Sequence, residues 1–370
     1  MHAAVHRLSA AGPSDTAVLD EAIAHGLIRP ETIVAVLGKT EGNGGVNDFT
    51  RGFATASFRT CLVRHLGIPA AVVEARVPLV MSGGTEGGLS PHWLVFTVDR
   101  TPGTTPRHDR KSLAIGIAFT RLFTPEDIGR RIQAVETARA VKAAMADAAI
   151  ADASDVHFVQ VKCPLLTTSR TAAATARGGR VVTPDTYESM GFSRGASALG
   201  VAMALGEVAD EAVQDERICH DFDLFSSRAS TSAGIELMRN EILVLGNSAA
   251  WYSHFAIGHA VMGDALDAAA VDRALTMADT ALGDAVGTTQ TDRLVALFCK
   301  AEASRTGTIR GHRHIMLDDS DIKATRHARA LVGGVLAGRI GDTRLFVSGG
   351  AEHQGPEGGG PLAVIIALRS

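Results

Sequence analysis

A threefold internal repeat is the feature of this 370-residue sequence that most restricts its fold. Three segments share the pattern Ser-(Gly/Ala)-Gly-x-Glu, and they begin at Ser82, Ser232 and Ser348. In the first and third copies a short apolar run precedes the serine, which predicts a buried strand. A chain that repeats one supersecondary unit buries its apolar faces by packing the copies together, so the fold must accommodate three related units.

Two basic residues precede each serine in the same order. A lysine lies at the end of an apolar or alternating run that predicts a strand; these lysines are Lys39, Lys162 and Lys300. An arginine follows at the head of an Ala-rich, helix-like stretch, at Arg51 in the first copy and Arg194 in the second. In the third copy the Thr-Arg match favours Arg326, whereas the distance to the end of the helix favours Arg329, so both remain candidates.

Apolar runs alternate with helical stretches within each copy, which is typical of an α/β fold. We assign the repeats to residues 1–104, 112–248 and 254–370. A segment rich in proline, glycine and charged residues, DRTPGTTPRHDRK, separates the first two repeats. The predicted fold is therefore α/β, with three similar repeats, each a sheet covered by helices, around a pseudo-threefold axis and a central site.

The composition excludes several classes of partner. The formal net charge is −4 and aromatic residues make up 5%, which argues against binding to nucleic acid or to an anionic membrane. The segment MHAAVHRLSAAGPSDT lacks the order of charged and apolar residues of a signal peptide. Four widely scattered cysteines are typical of reduced thiols. We therefore expect a cytoplasmic protein that binds neither nucleic acid nor membrane.

Serine and lysine together can supply a nucleophile and its base. A serine hydroxyl is a weak nucleophile until a neighbouring group takes its proton. Lysine can do so only as the neutral amine, and burial among other cations lowers the pKa of its ammonium group. Small residues after the serine expose backbone N–H groups to an oxyanion, and arginine donates to carbonyl oxygens. The pattern predicts attack on an electron-poor acyl carbon.

Three equivalent sets of residues around one centre also restrict the ligand. A small ring with three similar edges fits such a centre best. Because its C=O and N–H groups would alternate, as the donors and acceptors of the site do, the symmetry favours a cyclic imide or a triazine-type ring. A non-catalytic binder of cyclic ureides is the alternative from another functional class.

The motifs GKTEGNGGVNDFTRG, SGGTEG and VSGGAEHQGPEGGGP, with the Lys162 strand and the Ser232 segment, resemble those of the ring-opening amidohydrolases, the family of the cyanuric acid hydrolases and barbiturases. The resemblance covers essentially the whole chain. It implies three similar repeats with the active site at their centre, and no organic cofactor. The implied reaction is hydrolytic opening of cyanuric acid to carboxybiuret, which decarboxylates to biuret; the alternative is opening of barbituric acid to ureidomalonate.

The resemblance also implies a role for each repeated residue. Lys162 and Ser232 match the base and the nucleophile. The implied substrate-binding residues are Lys39, Arg51, Ser82, Gly83, Arg194, Ala233, Lys300, Arg326 or Arg329, Ser348 and Gly349. The middle copy departs from the SGG pattern, because alanine replaces its first glycine. We interpret the glutamates of the motif as structural hydrogen-bonding residues of the adjacent turns; they are Glu86, Glu236 and Glu352.

A structural metal ion near the C-terminus is a further implication of the resemblance. Its ligands would come from Glu302, Ala351, Gln354, Gly355, Pro356 and Gly359. One carboxylate with several carbonyl oxygens suits a hard cation such as Mg²⁺ or Ca²⁺. Such an ion would fix the loop beside Ser348 rather than take part in the reaction. The resemblance also implies a homotetramer.

Overall fold

The structure, a computed structural model, describes residues 1–101, 110–282 and 291–368. Each repeat has four main strands and two or three helices. The elements of the first repeat are β1 (His2–Ser9), α1 (Ala17–Ala24), β2 (Ile33–Thr40), α2 (Phe49–Leu66), α3 (Ala70–Arg76), β3 (Leu79–Gly83) and β4 (His92–Asp99). Those of the second are β5 (Ser112–Phe119), α4 (Arg131–Asp147), β6 (Val156–Pro164), α5 (Thr168–Ala176), α6 (Thr186–Ala204), β7 (Ala229–Gly234) and β8 (Glu241–Ser248).

The third repeat follows the same order and adds a small hairpin. Its elements are β9 (Phe255–Met262), α7 (Ala269–Leu282), β10 (Leu294–Ala301), β11 (Thr308–Ile309), β12 (His312–Arg313), α8 (Ala324–Ile340), β13 (Phe346–Gly349) and β14 (Gly360–Ala367). The hairpin of β11 and β12 lies between the lysine-bearing strand and the helix that carries Arg326 and Arg329.

The three sheets have one topology. Their strand orders are β1-β4-β2-β3, β5-β8-β6-β7 and β9-β14-β10-β13. In every repeat the second strand pairs in parallel with the third and antiparallel with the fourth. The parallel pair requires a crossover connection, and the helix that carries the repeated arginine provides it. The shared strand order confirms the predicted α/β fold of three similar units.

The lysine strands share a local irregularity as well as a topology. In β2, β6 and β10 the register against the fourth strand shifts at the second residue, which is Val34, His157 and Val295 respectively. Such a shift is a β-bulge, which increases the local twist of the strand. The lysine follows five residues later in all three strands.

Both faces of the inner strands are buried, which explains the nearly continuous apolar runs of β2 and β10. One face of each sheet contributes to a core shared by all three repeats, in which the rings of Phe158 and Phe298 are 4.6 Å apart. The other face packs against the helices of the same repeat, as where Phe58 of α2 meets Trp93 of β4 at 4.9 Å. The shared core therefore holds the three repeats together around one axis.

Two glycines allow helices to lie directly on the sheets. Gly116 of β5 and Gly258 of β9 occupy equivalent registers, and a Cβ atom on either would overlap a backbone carbonyl, that of Ala144 in α4 or Ala274 in α7. The equivalent residue of β1 is His6. The helix of the first repeat, α1, has only eight residues, and the His6 ring lies 3.3 Å from the Thr97 hydroxyl.

Three further sequence predictions concern the linker, the cysteines and membrane-spanning helices. The predicted linker lies largely in residues 102–109, outside the described residues, and the repeat boundaries stay predictions. All four cysteines are free thiols, and Cys61, Cys163 and Cys299 are buried. Within the described ranges, no helix is both long and apolar enough to span a bilayer.

Candidate active site

The lysines and serines of the motif become neighbours because β-pairing places them in register. Parallel pairing sets Lys39 beside Ser82, Lys162 beside Ser232 and Lys300 beside Ser348. The ends of these strand pairs meet at the centre of the molecule, around a small cavity. The cavity is lined by the three serines of the motif, by the small residue after each serine and by one arginine from each repeat. These residues are Ser82, Ser232, Ser348, Gly83, Ala233, Gly349, Arg51, Arg194 and Arg329, and Gly44 and Met190 complete the lining.

Each buried lysine reaches from its own repeat into another. The ammonium nitrogens donate to the carbonyls that directly precede the serines of the motif: Lys39 to Val347 at 2.7 Å, Lys162 to Met81 at 2.8 Å and Lys300 to Thr231 at 2.9 Å. The first repeat thus reaches the third, the third reaches the second, and the second reaches the first. The three contacts close a ring around the axis and fix the relative positions of the repeats.

Burial disfavours the charged form of all three lysines and makes each ammonium group a stronger acid than usual, in the direction that base catalysis requires. It lowers the pKa of Lys39 far below its ordinary value, lowers that of Lys162, and lowers that of Lys300 to about 7. A neighbouring guanidinium adds to the effect in each case, from Arg329, Arg51 and Arg194 respectively. Lowered lysine pKa values alone therefore do not distinguish the three pairs.

The serine hydroxyls do distinguish the pairs. Ser82 Oγ and Ser348 Oγ are 3.3 Å apart, and each also lies 3.4 Å from the lysine of its own repeat. Ser232 Oγ is buried and has no hydrogen-bond partner among the described residues. A buried hydroxyl without a partner is uncommon, because its desolvation is not offset. The hydroxyl of Ser232 is thus the one free to bond a ligand.

Arg329, and not Arg326, completes the set of cavity arginines. Arg329 is buried, and its Nε and Nη2 donate to the two carboxylate oxygens of Glu86 at 2.8 and 2.5 Å. The Arg326 side chain is 43% exposed; it contacts Glu86 from outside at 3.1 Å and does not line the cavity. Arg194 repeats the bidentate geometry with Glu352, at 2.8 and 2.6 Å.

The prediction that Arg194 lies at the head of its helix is wrong. Helix α6 begins at Thr186, with the side chain of Asp185 capping the N–H of Glu188, so Arg194 is the ninth helical residue. The Asp-x-x-Glu spacing is a capping pattern that the sequence already contained. Arg51, in contrast, is the third residue of α2, whose N-cap is Asp48.

The interpretation of the three glutamates as structural residues of the turns is incomplete. Their carboxylates face the basic residues of the site. Two pair with an arginine of another repeat, Glu86 with Arg329 of the third and Glu352 with Arg194 of the second. The third, Glu236, pairs with Lys162 of its own repeat at 2.8 Å. The sequence could have indicated contact with cations, because a glutamate follows each serine at the same spacing.

Most of the predicted metal ligands line one pocket together with the partly buried carboxyl group of Glu302. Glu302 follows β10, and its oxygens accept the N–H groups of Ala303 and Ala351 at 3.1 and 3.3 Å. Burial and the nearby carboxylate of Glu352 raise the pKa of Glu302, and the more distant charge of Arg194 only partly opposes them. A partly buried carboxylate without an ion pair in the described chain, beside a loop of backbone carbonyls, fits a hard metal ion.

The Gln354 side chain forms hydrogen bonds that join the loop to the second repeat. Its Oε1 accepts the N–H of Thr231 at 2.7 Å, and its Nε2 donates to the carbonyl of Gly350 at 3.1 Å. The loop is thereby joined to β7, the strand that carries Ser232. In Gly355 a left-handed backbone (φ +85°) brings the chain against Gly360, where a Cβ atom would be 2.6 Å away. The loop 351–359 is therefore packed between the second and third repeats.

Comparison with known proteins agrees with this geometry. The family model for the amidohydrolase ring-opening proteins matches residues 4–367. The chain is 58% identical over 368 residues to the cyanuric acid amidohydrolase of Ectopseudomonas oleovorans, covering 99% of both chains, and 57% identical over 367 residues to that of Bradyrhizobium diazoefficiens, covering 98% of both. A solved cyanuric acid hydrolase, described as an evolutionary innovation by structural concatenation, matches with a TM-score of 0.92 and 53% identity over 99% of both chains. The chain therefore belongs to the ring-opening amidohydrolase family and is an amidohydrolase.

Proposed function

We propose that this enzyme opens the ring of cyanuric acid by hydrolysis, with Ser232 as the nucleophile and Lys162 as its base. The observation that carries the assignment is the buried Ser232 hydroxyl, which has no partner in the described chain and stands in register with Lys162. The relatives named cyanuric acid amidohydrolases, at 57% and 58% identity, support the choice of substrate.

The chemistry follows from the positions of these two side chains. Neutral Lys162 takes the proton of Ser232 Oγ, the oxygen bonds to a ring carbonyl carbon, and the carbonyl π pair moves onto its oxygen. The ring C–N bond then breaks, and the Lys162 ammonium returns the proton to the leaving nitrogen. Water then attacks the acyl carbon as Lys162 takes one of its protons, the bond from Ser232 Oγ to that carbon breaks, and Lys162 returns the proton to Oγ, which releases carboxybiuret. Carboxybiuret loses CO₂ to give biuret.

The other two corners of the site bind the rest of the ring in this proposal. Cyanuric acid presents three carbonyl and three N–H groups in alternation. Arg51, Arg194 and Arg329 line the cavity and supply planar donors to carbonyl oxygens. The serine–lysine pairs of the first and third repeats, whose hydroxyls already bond one another, face the two remaining edges. These pairs hold the ring against Ser232 and undergo no covalent change.

We further propose that Glu302 and backbone carbonyls of the loop 351–359 hold a structural Mg²⁺ or Ca²⁺, and that the enzyme assembles as a homotetramer. The partly buried carboxyl of Glu302, which lines one pocket with Ala351, Gly355 and Gly359 and has a raised pKa, supports the metal site. An ion there would neutralise Glu302 and stiffen the loop that follows Ser348. Metal content after exhaustive dialysis should fall in E302Q relative to wild type, and light scattering gives the mass of the assembly.

The test of function uses purified enzyme without added cofactor, incubated in parallel with cyanuric acid and barbituric acid. We expect loss of cyanuric acid with biuret as the product, and a fall in kcat of about 1000-fold or more in both S232A and K162A. Loss of barbituric acid alone would reassign the substrate. Near-normal turnover by S232A would refute the nucleophile, and tight ring binding without product would make the protein a receptor.

A further inference from the structure

The threefold arrangement of charges around the cavity is broken at one corner. Around the axis, Arg194 pairs with the glutamate of the third repeat and Arg329 with that of the first. Symmetry would pair Arg51 with Glu236 of the second repeat. Instead Arg51 donates to the carbonyls of Ala233 and Gly45, at 2.9 and 2.6 Å. Glu236 is thereby left for Lys162, the lysine beside Ser232.

The glycines of the motif show that this exception is built into the backbone. A Cβ atom on Gly84 or Gly350 would lie 2.5 Å from the guanidinium group of Arg329 or Arg194. The equivalent Gly234 has a different neighbour, because a Cβ atom there would overlap the carboxylate of Glu236. Two glycines thus make room for an arginine, and the third makes room for a carboxylate folded back toward Lys162.

Glu236 also connects the lysine to the outside of the site. Lys162 is fully buried, whereas the side chain of Glu236 is 16% exposed. The glutamate lines a cleft of about 390 Å³ between the first and second repeats, together with residues of α2 and α3. The Glu236 carboxylate, 2.8 Å from Lys162 Nζ, is therefore placed to accept a proton from Lys162. The same carboxylate borders the cleft, which is wide enough to hold water.

The charges around the pair come from several elements. Lys162 lies near Glu236, Arg51, Cys163 and Glu241. Glu236 lies near Lys162, Arg51 and Arg170. Burial raises the pKa of Glu236, but Lys162 and Arg51 outweigh it, and the net pKa is below the ordinary value. The 2.8 Å contact between the two groups is that of a carboxylate–ammonium ion pair, and an ammonium ion cannot accept the Ser232 proton.

We propose that Glu236 is a positioning residue that accepts the ammonium proton of Lys162 when the ring binds, and so generates the neutral amine that deprotonates Ser232. The Nζ–H bond breaks as an O–H bond forms on the Glu236 carboxyl group, and no charge enters or leaves the site. Glu236 keeps this proton while Lys162 passes the Ser232 proton to the leaving ring nitrogen, and returns it after product release. The inference rests on the proposed function of Lys162 and Ser232.

The pH profile of kcat/KM separates this relay from simple charge stabilisation. With a relay, the ionised pair is competent, and wild-type activity is lost only when acid protonates Glu236. In E236Q the ammonium proton must leave for solvent, so the acid limb should move to higher pH by about one unit or more. If Glu236 only stabilises the ammonium ion by its charge, its removal makes deprotonation easier, and the limb moves to lower pH.

The rate at the pH plateau gives a second readout. We expect kcat of E236Q to fall about 30-fold or more with KM changed by less than about threefold, and E236D to recover part of the loss. E86Q and E352Q are the matched variants, because their glutamates pair with arginines. They should raise KM and leave the acid limb in place. Ring binding by E236Q, measured by calorimetry, shows that the variant is folded.

Each outcome decides between the two proposals. An inactive S232A with a fully active E236Q, or an acid limb moved to lower pH in E236Q, overturns the relay and leaves the proposed function intact. An active S232A overturns the nucleophile, and the relay with it. An equal limb shift in E86Q or E352Q would make the effect a general property of charge in the cavity and would overturn the assignment to Glu236.

Discussion

The bidentate contact between Arg329 and Glu86 gives the guanidinium group one defined orientation at the wall of the cavity. A fixed fork loses little conformational entropy when it binds a carbonyl oxygen. Arg326 donates to the same glutamate from outside, through a side chain that is 43% exposed. The sequence offered equal arguments for both arginines, because one match concerned the preceding threonine and the other the length of the helix. The two arginines are distinguished by the face of α8 that points to the axis, which carries Arg329.

Replacement of Arg329 by alanine should therefore weaken ring binding. We expect KM to rise about tenfold or more in R329A, because a charged hydrogen bond to a carbonyl oxygen is lost and Glu86 is left without its main partner. R326A is the matched control, with KM expected within about threefold of wild type. Steady-state kinetics on both variants measures this. A larger effect in R326A than in R329A would contradict the assignment.

At the scale of elements, close contact between strand and helix sets the thickness of each repeat. Gly116 and Gly258 permit that contact in the second and third repeats, where α4 and α7 have 17 and 14 residues. The apolar runs of β2 and β10 were sufficient to predict buried strands that end in a lysine. The close approach of helix to strand at Gly116 and Gly258 could not be predicted from the sequence, because a glycine in a strand is equally consistent with a bulge or an unpacked edge.

Gly258→Ala should destabilise the fold, because the new methyl group overlaps the carbonyl of Ala274 and must push α7 from the sheet. We expect a loss of about 1–3 kcal/mol in the free energy of unfolding. Gly334→Ala is the matched control: this exposed glycine of α8 has no atom within 4 Å of the added Cβ. That variant should gain about 0.5–1 kcal/mol from helix propensity. Denaturant titration of both variants checks the pair; equal shifts would contradict the packing argument.

The whole molecule is held by contacts that pass between repeats. The lysine ring around the axis is one set, and a histidine pair is another. His157 Nδ1 in the β6 bulge lies 2.8 Å from His259 Nδ1 in β9 of the third repeat. Repetition in the sequence predicted three similar units, but not these contacts, because the equivalents of His157 are Val34 and Val295. The contacts that the repeat pattern did not predict involve residues that differ between the copies, or equivalent residues that choose different partners, as Glu236 does.

The histidine pair should make stability depend on pH. Burial lowers the pKa of His157 to about 3 and that of His259 to about 4, so the folded state binds fewer protons than the unfolded state below pH 6.5. Stability is therefore complete above the unfolded pKa and falls as the pH drops toward the folded values, by on the order of 1–2 kcal/mol for each histidine between pH 7 and 5.

His157→Val, which installs the residue of the other two copies, should flatten this dependence. Unfolding by denaturant at pH 7 and pH 5 measures the difference for each protein. The same loss of stability in the variant and in wild type would show that the acid sensitivity arises elsewhere.

Because only one of the three serine hydroxyls has no hydrogen-bond partner in the described chain, its proposed role has a consequence for the orientation in which a ring binds. A ring with threefold symmetry that enters this unsymmetrical site is productive in any of its three rotations, because each edge is identical. A ring with one altered edge must arrive in a particular rotation, which reduces its productive encounters by about threefold before any contact is lost. With Ser232 in its proposed role, the site would favour the symmetric ring statistically. A single chain can do this because it can change one corner of the site and leave the other two as they were.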